Sequence, residues 1–424
     1  MKIAIIGAGM AGVAAAQALA AQGHELSVFE RRASVAEETS FAPAGIAAAG
    51  LAAPWAPAPG RLRALTARAA GAPCLRETGA AFVRPGLFGP GDAQQAARRA
   101  ERALALHGLL AAGIERIDAL ARSLALDFEG GNGLLLTLSD AASKAQAEVA
   151  AVWLQQAGTA VEWADAARQR ALEPGRAVAD DARAVYLPGA RIANTREWTQ
   201  LLRAHAQALG VKFVFQHEVA SVTAGPRPLV RFAAAGAGRP PQEASFDAVV
   251  VCAALDSSRL LAPLGLKLPW RPLRGYSVTV PSHLREAAPD SGPRAALLDL
   301  RSGIGICRLG ARVRVAGGNT PAPALADPGP VPTKALQPLY DALDANFPGA
   351  VNWPQAQAWQ ATRAALPDGL PAVGASGVPG IWLNVGHAHH GWALSQVAAD
   401  ALCAMMAGQP AAPDVALLAP QRLR

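Results

Sequence analysis

The sequence predicts an α/β fold in which a parallel, nucleotide-binding sheet is interleaved with a second, α+β domain built on an antiparallel sheet. Three observations carry that expectation. A strand, a glycine-rich turn and an alanine-rich helix open the chain. βαβ-like elements return after residue 195 and near the C-terminus. Between 263 and 359, apolar and polar residues alternate as they do in a sheet covered on one face.

The opening elements are the most specific. An apolar strand, Lys2 to Ile6, runs into Gly7-Ala8-Gly9-Met10-Ala11-Gly12 and then into the helix. A second strand, Glu25 to Phe29, ends on Glu30 and Arg31. This order is the Rossmann dinucleotide fingerprint. Gly7 permits the tight turn, Gly9 lets the backbone approach a pyrophosphate, and Gly12 lets helix and strand pack closely. The helix N-terminus offers unpaired N–H groups to phosphates. Glu30, eighteen residues past Gly12, stands where an acid accepts hydrogen bonds from a ribose diol. Residues 1 to 21 also have the pattern of a secretory signal, with Lys2, an apolar stretch and Ala18-Leu19-Ala20. Cleavage there would remove the fingerprint and leave the Glu30 strand without its partner, so the segment is read as mature sequence.

The remaining elements follow in chain order. Ala53-Pro54-Trp55-Ala56-Pro57-Ala58-Pro59-Gly60 is loop by composition. A helical region is expected from Asp92 to about Leu126, a strand over 133–139 and a helix over 147–156. From Thr195 the pattern gives a helix to Leu209, strands at 211–215 and 229–232, and a buried strand at 248–253. Tyr276-Ser277-Val278-Thr279-Val280 and Val313-Arg314-Val315 suit antiparallel strands, and the Pro-rich segment 321–332 a loop. Near the end, Leu383-Asn384-Val385-Gly386-His387-Ala388-His389-His390-Gly391-Trp392 reads as strand, turn and helix. Such a turn presents backbone N–H groups to the far end of the ligand held by the first fingerprint.

Composition narrows the class. The chain has 424 residues, long enough for two cored domains, and 51% of them are hydrophobic. Outside the N-terminal stretch no run approaches the roughly 20 apolar residues of a membrane span. The net charge of +7 comes mainly from arginines dispersed among alanines. That pattern argues against a dedicated nucleic-acid surface, while leaving a basic face for peripheral contact with anionic lipid at the inner side of the cell membrane. Cys74, Cys252, Cys307 and Cys403 lie far apart without a CxxC. They suit a reducing cytoplasm and argue against a metal site or a disulfide framework.

Several blocks together resemble one enzyme family. They are Glu38-Thr39-Ser40-Phe41-Ala42-Pro43-Ala44-Gly45, Ala53-Pro54-Trp55, Pro272 to Thr279, Arg363 with Leu366 to Gly374, and Gly386 to Trp392. In this order they resemble the D-amino-acid dehydrogenase small-subunit type, within the FAD superfamily of D-amino-acid, glycine and sarcosine oxidases. The resemblance implies FAD rather than NAD, and a Rossmann-like FAD-binding domain interleaved with an α+β substrate domain built on an antiparallel sheet. Segments 1–60, 188–262 and 360–424 are expected in the FAD-binding domain, and 61–187 and 263–359 in the substrate-binding domain.

On that resemblance Gly7, Gly9, Met10, Ala11, Gly12, Glu30 and Arg31 hold the dinucleotide. Thr39, Ser40, Ala42 and Gly45 pass close to pyrophosphate and flavin, and Val219 meets the adenine. Gly386, His387, Gly391 and Trp392 approach the flavin's pyrimidine edge. Ala361 stands where sarcosine oxidases attach flavin through cysteine, so FAD is expected to be noncovalent. Arg363 is expected to grip the substrate carboxylate with its planar fork of donors. Tyr276 and His389 complete the catalytic candidates, with core packing for Tyr276 and turn polarity for His389 and His390 as the plainer roles. The sequence departs from the dehydrogenase pattern at Pro43, Ala364, Ala388 and Arg191.

The implied activity is oxidative deamination of D-amino acids to 2-oxo acids and ammonia, within amino-acid catabolism, by hydride transfer from Cα to flavin N5. A quinone or another carrier would accept the electrons. Three rival expectations are an oxidoreductase for secondary amines such as proline, hydroxyproline or sarcosine (or for glycine), a flavin-dependent tRNA-modifying protein, and a noncatalytic flavin subunit.

Overall fold

A computed structural model describes residues 1–55, 93–234, 240–283, 291–322, 329–409 and 413–423. Cys74, residues 56–60 of the Pro/Ala/Gly-rich stretch and the expected helix start at Asp92 lie outside the described residues.

A six-stranded sheet gathers segments from distant parts of the chain. Its order is Ala372–Ala375, Ile381–Val385, Ala248–Val251, Lys2–Ile6, Glu25–Phe29 and Lys212–Val214. Every neighbouring pair is parallel except the first. Its middle strands are apolar without alternation because both faces are covered: Ile3, Ala4, Ile5, Val249, Val250 and Val251 are all fully buried. Helices Met10–Ala21, Thr195–Ala208 and Gly391–Met406 cover one face, where Val13, Leu19, Trp198, Leu202, Leu394 and Leu402 share one core. Ala14, Ala18 and Ala399 meet between two of these helices, so the alanine-rich sequence allows a close approach. The other face is covered by a three-stranded antiparallel sheet, whose Val219, Val230 and Phe232 pack with Phe246 on Ala4, Ile6 and Val249.

The second sheet has nine strands. Its main path runs Gln357–Ala365, Arg271–Pro281, Arg312–Pro321, Gly305–Leu309, Ala296–Asp299, Gly131–Thr137, Ala184–Ile192 and Ile46–Ala47, with Glu162–Ala164 beside Ala184–Ile192. It is antiparallel except where Gly131–Thr137 runs parallel to Ala296–Asp299. One face packs on helix Thr333–Asn346 through Val278, Val280, Val313 and Val315 against Leu336, Leu339, Leu343 and Phe347. The opposite face carries a second core around Leu134, Leu136, Leu187 and Leu298, and beyond it the cavity described below.

The sheets exchange the chain at places that differ from the expected boundaries. Ala184–Ile192 pairs with Gly131–Thr137, and Gln357–Ala365 pairs residue for residue with Arg271–Thr279. Two hand-overs therefore fall at 193–194 and 366–371, and not at 187 and 359. Ile46–Ala47, expected with the FAD-binding segments, pairs in the second sheet, and helix Ala93–Ser123, expected with the substrate-binding segments, packs through Leu106, Leu110 and Ile117 in the core of the first. Ladder hydrogen bonding carries each strand to its end, and alternation in the sequence does not reveal which sheet supplies the partner.

Candidate active site

The first turn is built as its glycines require. Gly7 has φ +100°, and a Cβ there would lie 2.8 Å from the Cys252 carbonyl oxygen. A Cβ at Gly12 would lie 2.0 Å from the Gly7 carbonyl oxygen. Both positions are glycine because the protein's own backbone fills the space. Gly9 differs. A Cβ there would meet only Ser40 Oγ, at 3.5 Å, and its φ of −69° suits any residue. Protein packing does not demand glycine at position 9, so the space in front of it is kept open for something else.

That space belongs to a cavity of about 280 Å³ lined by both ends of the chain. At one end stand Glu30, Arg31 and Val219; at the other, Arg363 and the turn Gly386 to Trp392. Glu30 accepts the N–H groups of Ala8 and Arg32, each at 2.8 Å. Burial pushes its carboxyl up from the usual range, against those two bonds, which hold it down. Arg31 is fixed by Glu38 at 2.7 Å and Asp256 at 2.8 Å. The N–H of Met10, in the first turn of the helix, reaches Ser40 Oγ at 3.2 Å.

Asn384 joins the two ends. Its Nδ2 donates to the Ala11 carbonyl at 3.2 Å, which leaves Oδ1 to accept from His387 Nε2 at 2.8 Å. His387 therefore carries its proton on Nε2, and Nδ1 is a buried atom without a partner among the described residues. Burial lowers the pKa of His387 to about 4 and, with His389 adding to it, that of His390 to about 3. Both rings are neutral at pH 7. Helix Gly391–Met406 starts here with no side-chain cap, so two helix N-termini face one cavity. Their dipoles favour an anionic ligand.

Arg363 enters from the other sheet. Its guanidinium lies over Gly275: a Cβ on that glycine would be 2.6 Å from Nη1. The next residues are held beside the C-terminal turn, because Ala388 N–H donates to Ala364 O at 3.3 Å and Ala365 bridges His387. Thr39 Oγ1 donates to Thr362 O at 3.2 Å, which draws the 39–45 loop to the same strand.

Of the expected site residues, Gly7, Gly9, Met10, Ala11, Glu30, Arg31, Thr39, Ser40, Gly45, Val219, Arg363, Gly386, His387, His389, Gly391 and Trp392 line the cavity. Gly12 and Ala42 do not; Gly12 serves helix-strand packing and Ala42 is buried. The structure does not bring Tyr276 to the cavity. Tyr276 opposes Gln360 while Arg363 opposes Leu273, three positions away, so the two side chains leave opposite faces of the sheet. Tyr276 packs on the core beneath helix Thr333–Asn346. Arg191 pairs with Asp118 at 2.7 Å and is structural.

Two residues that sequence reasoning passed over hold the 43–45 loop. Arg314 is 4% exposed and donates to Thr279 Oγ1 at 2.9 Å and Pro43 O at 3.2 Å. Cys307 Sγ donates to Ala44 O at 3.0 Å, and burial pushes its thiol up to about 11. A charged residue in an alternating strand reads as solvent-facing when one face of the sheet is covered; here both faces are covered, and no pattern in the sequence signals that.

A parallel sheet with a phosphate-type turn at its centre, opening toward a second sheet that presents an arginine, defines a dinucleotide-dependent oxidoreductase architecture. Residues 2–405 match the family described as FAD dependent oxidoreductase, and the chain belongs to it. It is 32% identical over 432 residues to a D-amino acid dehydrogenase of Cereibacter sphaeroides (strain ATCC 17023), covering 98% of this chain and 93% of that protein. It is 31% identical to a D-amino acid dehydrogenase of Bradyrhizobium diazoefficiens, covering 100% and 99%. In fold it is similar to glycine oxidase from Geobacillus kaustophilus, with a TM-score of 0.76 at 18% identity over 99% and 98% of the two chains. It is also similar to L-proline dehydrogenase from P. horikoshii, with a TM-score of 0.71 at 15% identity over 99% and 97%.

The cofactor of the family is FAD, and the residues present fit it. Gly9 leaves a cradle that a side chain would fill, helix N-termini face the cavity at two points, and a buried acid stands at the end of the second strand.

Proposed function

We propose that this protein is a D-amino-acid dehydrogenase that oxidises the Cα–N bond of D-amino acids. The observation that carries the reading is Arg363, which lines the same cavity as the Gly9 cradle and is held beside the Gly386 to Trp392 turn. Near-full-length similarity to D-amino acid dehydrogenases supports it.

Gly9 and Ala11 would hold the pyrophosphate through N–H groups at the helix start, with Met10, whose N–H is bonded to Ser40 Oγ, lining the cavity beside them, and Glu30 would hold the ribose diol. Val219 would lie against the adenine, and the Gly386 to Trp392 turn against the flavin ring. Binding is noncovalent, with Ala361 offering no atom for a bond to flavin. When bound, FAD supplies a two-electron hydride acceptor. Arg363 takes the substrate carboxylate in a bidentate grip and so fixes Cα and its hydrogen. His387 and His390, neutral at working pH, add no charge that would compete for the carboxylate. The N-terminus of helix Gly391–Met406 would stabilise negative charge that builds at this end during reaction. The net change removes two hydrogens across Cα–N, giving an imino acid that water hydrolyses to a 2-oxo acid and ammonia.

The electrons leave to a quinone or another carrier, in a cytoplasmic protein with peripheral contact at the membrane. No helix among the described residues is long and apolar enough to cross a membrane.

The test is anaerobic. The purified yellow protein is mixed in turn with D- and L-amino acids, glycine, sarcosine and proline while its visible spectrum is recorded. Bleaching by D-enantiomers alone is expected. Bleaching by proline or sarcosine instead would replace the reading with secondary-amine oxidation. Oxygen uptake against quinone reduction then separates the acceptors.

A further inference from the structure

The sheet face that carries Arg363 has a floor of very small residues. Ser277, Ala316, Gly305 and Leu298 stand directly opposite one another on four adjacent strands. Directly opposed residues share a face, and this row shares its face with Gly275, beneath the guanidinium of Arg363. A hydroxymethyl, a methyl and a hydrogen succeed one another before the row ends on leucine. Ser277 is buried and does not line the cavity, so the open part of the row is a trough over Ala316, Gly305 and Leu298 that crosses two strand spacings, about 10 Å.

Ala316, Gly305 and Leu298 line the cavity, and Ile46 closes the trough from the loop side. A Cβ on Gly305 would lie 3.3 Å from Ile46 Cδ1. The trough carries no carboxylate among the described residues. The acidic lining residues are engaged elsewhere: Glu30 with the N–H groups of Ala8 and Arg32, Glu38 and Asp256 with Arg31, Glu37 with Arg196, Glu218 with Arg259. Arg314, the next residue on this face, is turned to Thr279 and Pro43 and does not line the cavity.

We infer that this trough receives the substrate side chain, and that the preferred substrates are D-amino acids with large apolar side chains, aromatic, branched or thioether. The inference rests on the proposal that Arg363 holds the carboxylate. A short side chain leaves the row uncovered, and each additional methylene covered is worth about a fourfold gain. A charged side chain would be desolvated against alanine, glycine and leucine with no partner.

The experiment uses the holoenzyme and measures the apparent second-order rate of anaerobic flavin reduction by D-leucine, D-methionine, D-phenylalanine, D-alanine, D-aspartate, D-lysine and glycine. The first three are expected to exceed the others by about tenfold or more. Ala316→Leu fills the trough and is expected to lower the ratio of the D-phenylalanine rate to the D-alanine rate at least about tenfold. Ala316→Val gives a smaller change in the same direction and serves if the leucine variant does not hold flavin. D-Alanine or D-aspartate leading in the wild type, or an unchanged ranking in a flavin-loaded Ala316 variant, would overturn the inference and leave the D-amino-acid reading standing. If no D-amino acid reduces the flavin, that reading itself fails, and the side-chain assignment falls with it.

Discussion

Replacing Gly9 with valine separates the cofactor's demand for glycine from the protein's own. At position 9 the backbone is ordinary for an L-residue, and the new Cβ would meet only Ser40 Oγ at 3.5 Å. Losing glycine at a helix N-cap costs about 0.5–1 kcal/mol, so the fold should survive. The valine methyls, however, project into the space in front of the first helical turn. If they displace a phosphate from two N–H groups, each worth about 1.5–3 kcal/mol when the acceptor is charged, FAD affinity falls roughly 10²- to 10⁴-fold. The assay pairs the visible-to-ultraviolet absorbance ratio of the purified protein with thermal melts in the presence and absence of added FAD. Wild type should gain stability with FAD by mass action, whereas Gly9→Val should melt near the wild-type apoprotein temperature and gain nothing. Gly12→Ala is the control, because its Cβ would overlap the Gly7 carbonyl oxygen at 2.0 Å and the apoprotein itself should fail. A Gly9→Val protein that carries normal flavin would refute the placement of the phosphates. One that unfolds as Gly12→Ala does would reduce Gly9 to a packing residue.

Three further outcomes are expected. Arg363→Ala should keep FAD and lose about 10²-fold or more in kcat/KM, mostly through KM, with partial recovery in Arg363→Lys; unchanged kinetics would remove Arg363 from the site. Acid should destabilise the protein through His387 and His390. In the unfolded chain both take up a proton below about 6.5, while the folded rings stay neutral down to about 4 and 3. The unfolded state therefore binds more protons in that window, and stability present above pH 6.5 is lost as pH falls, by about 2 kcal/mol per histidine at pH 5. His390→Gln should flatten the melting temperature between pH 6.5 and 5, and an unchanged slope would contradict the assignment. Asn384→Ala should cost about 2–4 kcal/mol in urea unfolding, since it leaves both the Ala11 carbonyl and His387 Nε2–H without their partner.

The opening fingerprint was legible because each of its residues meets a local requirement: a turn, a close approach, an acid at a strand end. The return of the chain to that sheet was legible for a similar reason, since Ala248–Val251 is wholly apolar and Ile381–Val385 is apolar but for Asn384, so both must be covered on both faces. The side of the second sheet that faces the cavity was not legible. Tyr276 alternates in phase with Val278 and Val280, which places it on the core face, but Arg363 stands on another strand, and alternation does not say which face of that strand meets the cavity. Asn384 was hidden for a different reason. Its partners Ala11 and His387 lie 373 positions before it and three after it, and no local pattern anticipates a side chain that bridges two chain ends.

The electrostatics of the two cavity ends differ in kind, and that difference bears on orientation. The ribose end is dense in full charges that neutralise one another, with Arg31 held between Glu38 and Asp256 and Arg259 paired with Glu218. Beside Arg363 and His389, the opposite end is made of dipoles and neutral groups: a helix start at Gly391, two histidines kept uncharged by burial, and the Ala388 N–H bonded to the neighbouring strand. Among the described residues lining that end, Arg363 is the one guanidinium or ammonium. An amino-acid carboxylate entering there has one guanidinium to bind, so its position is set by one fork of donors. Its Cα–H is then aimed by the geometry of one strand, with the side chain left to the small-residue floor beside it. A second cation at this end would divide the carboxylate between two poses and loosen the aim, which is a physical reason for His387 and His390 to be buried deeply enough to stay neutral.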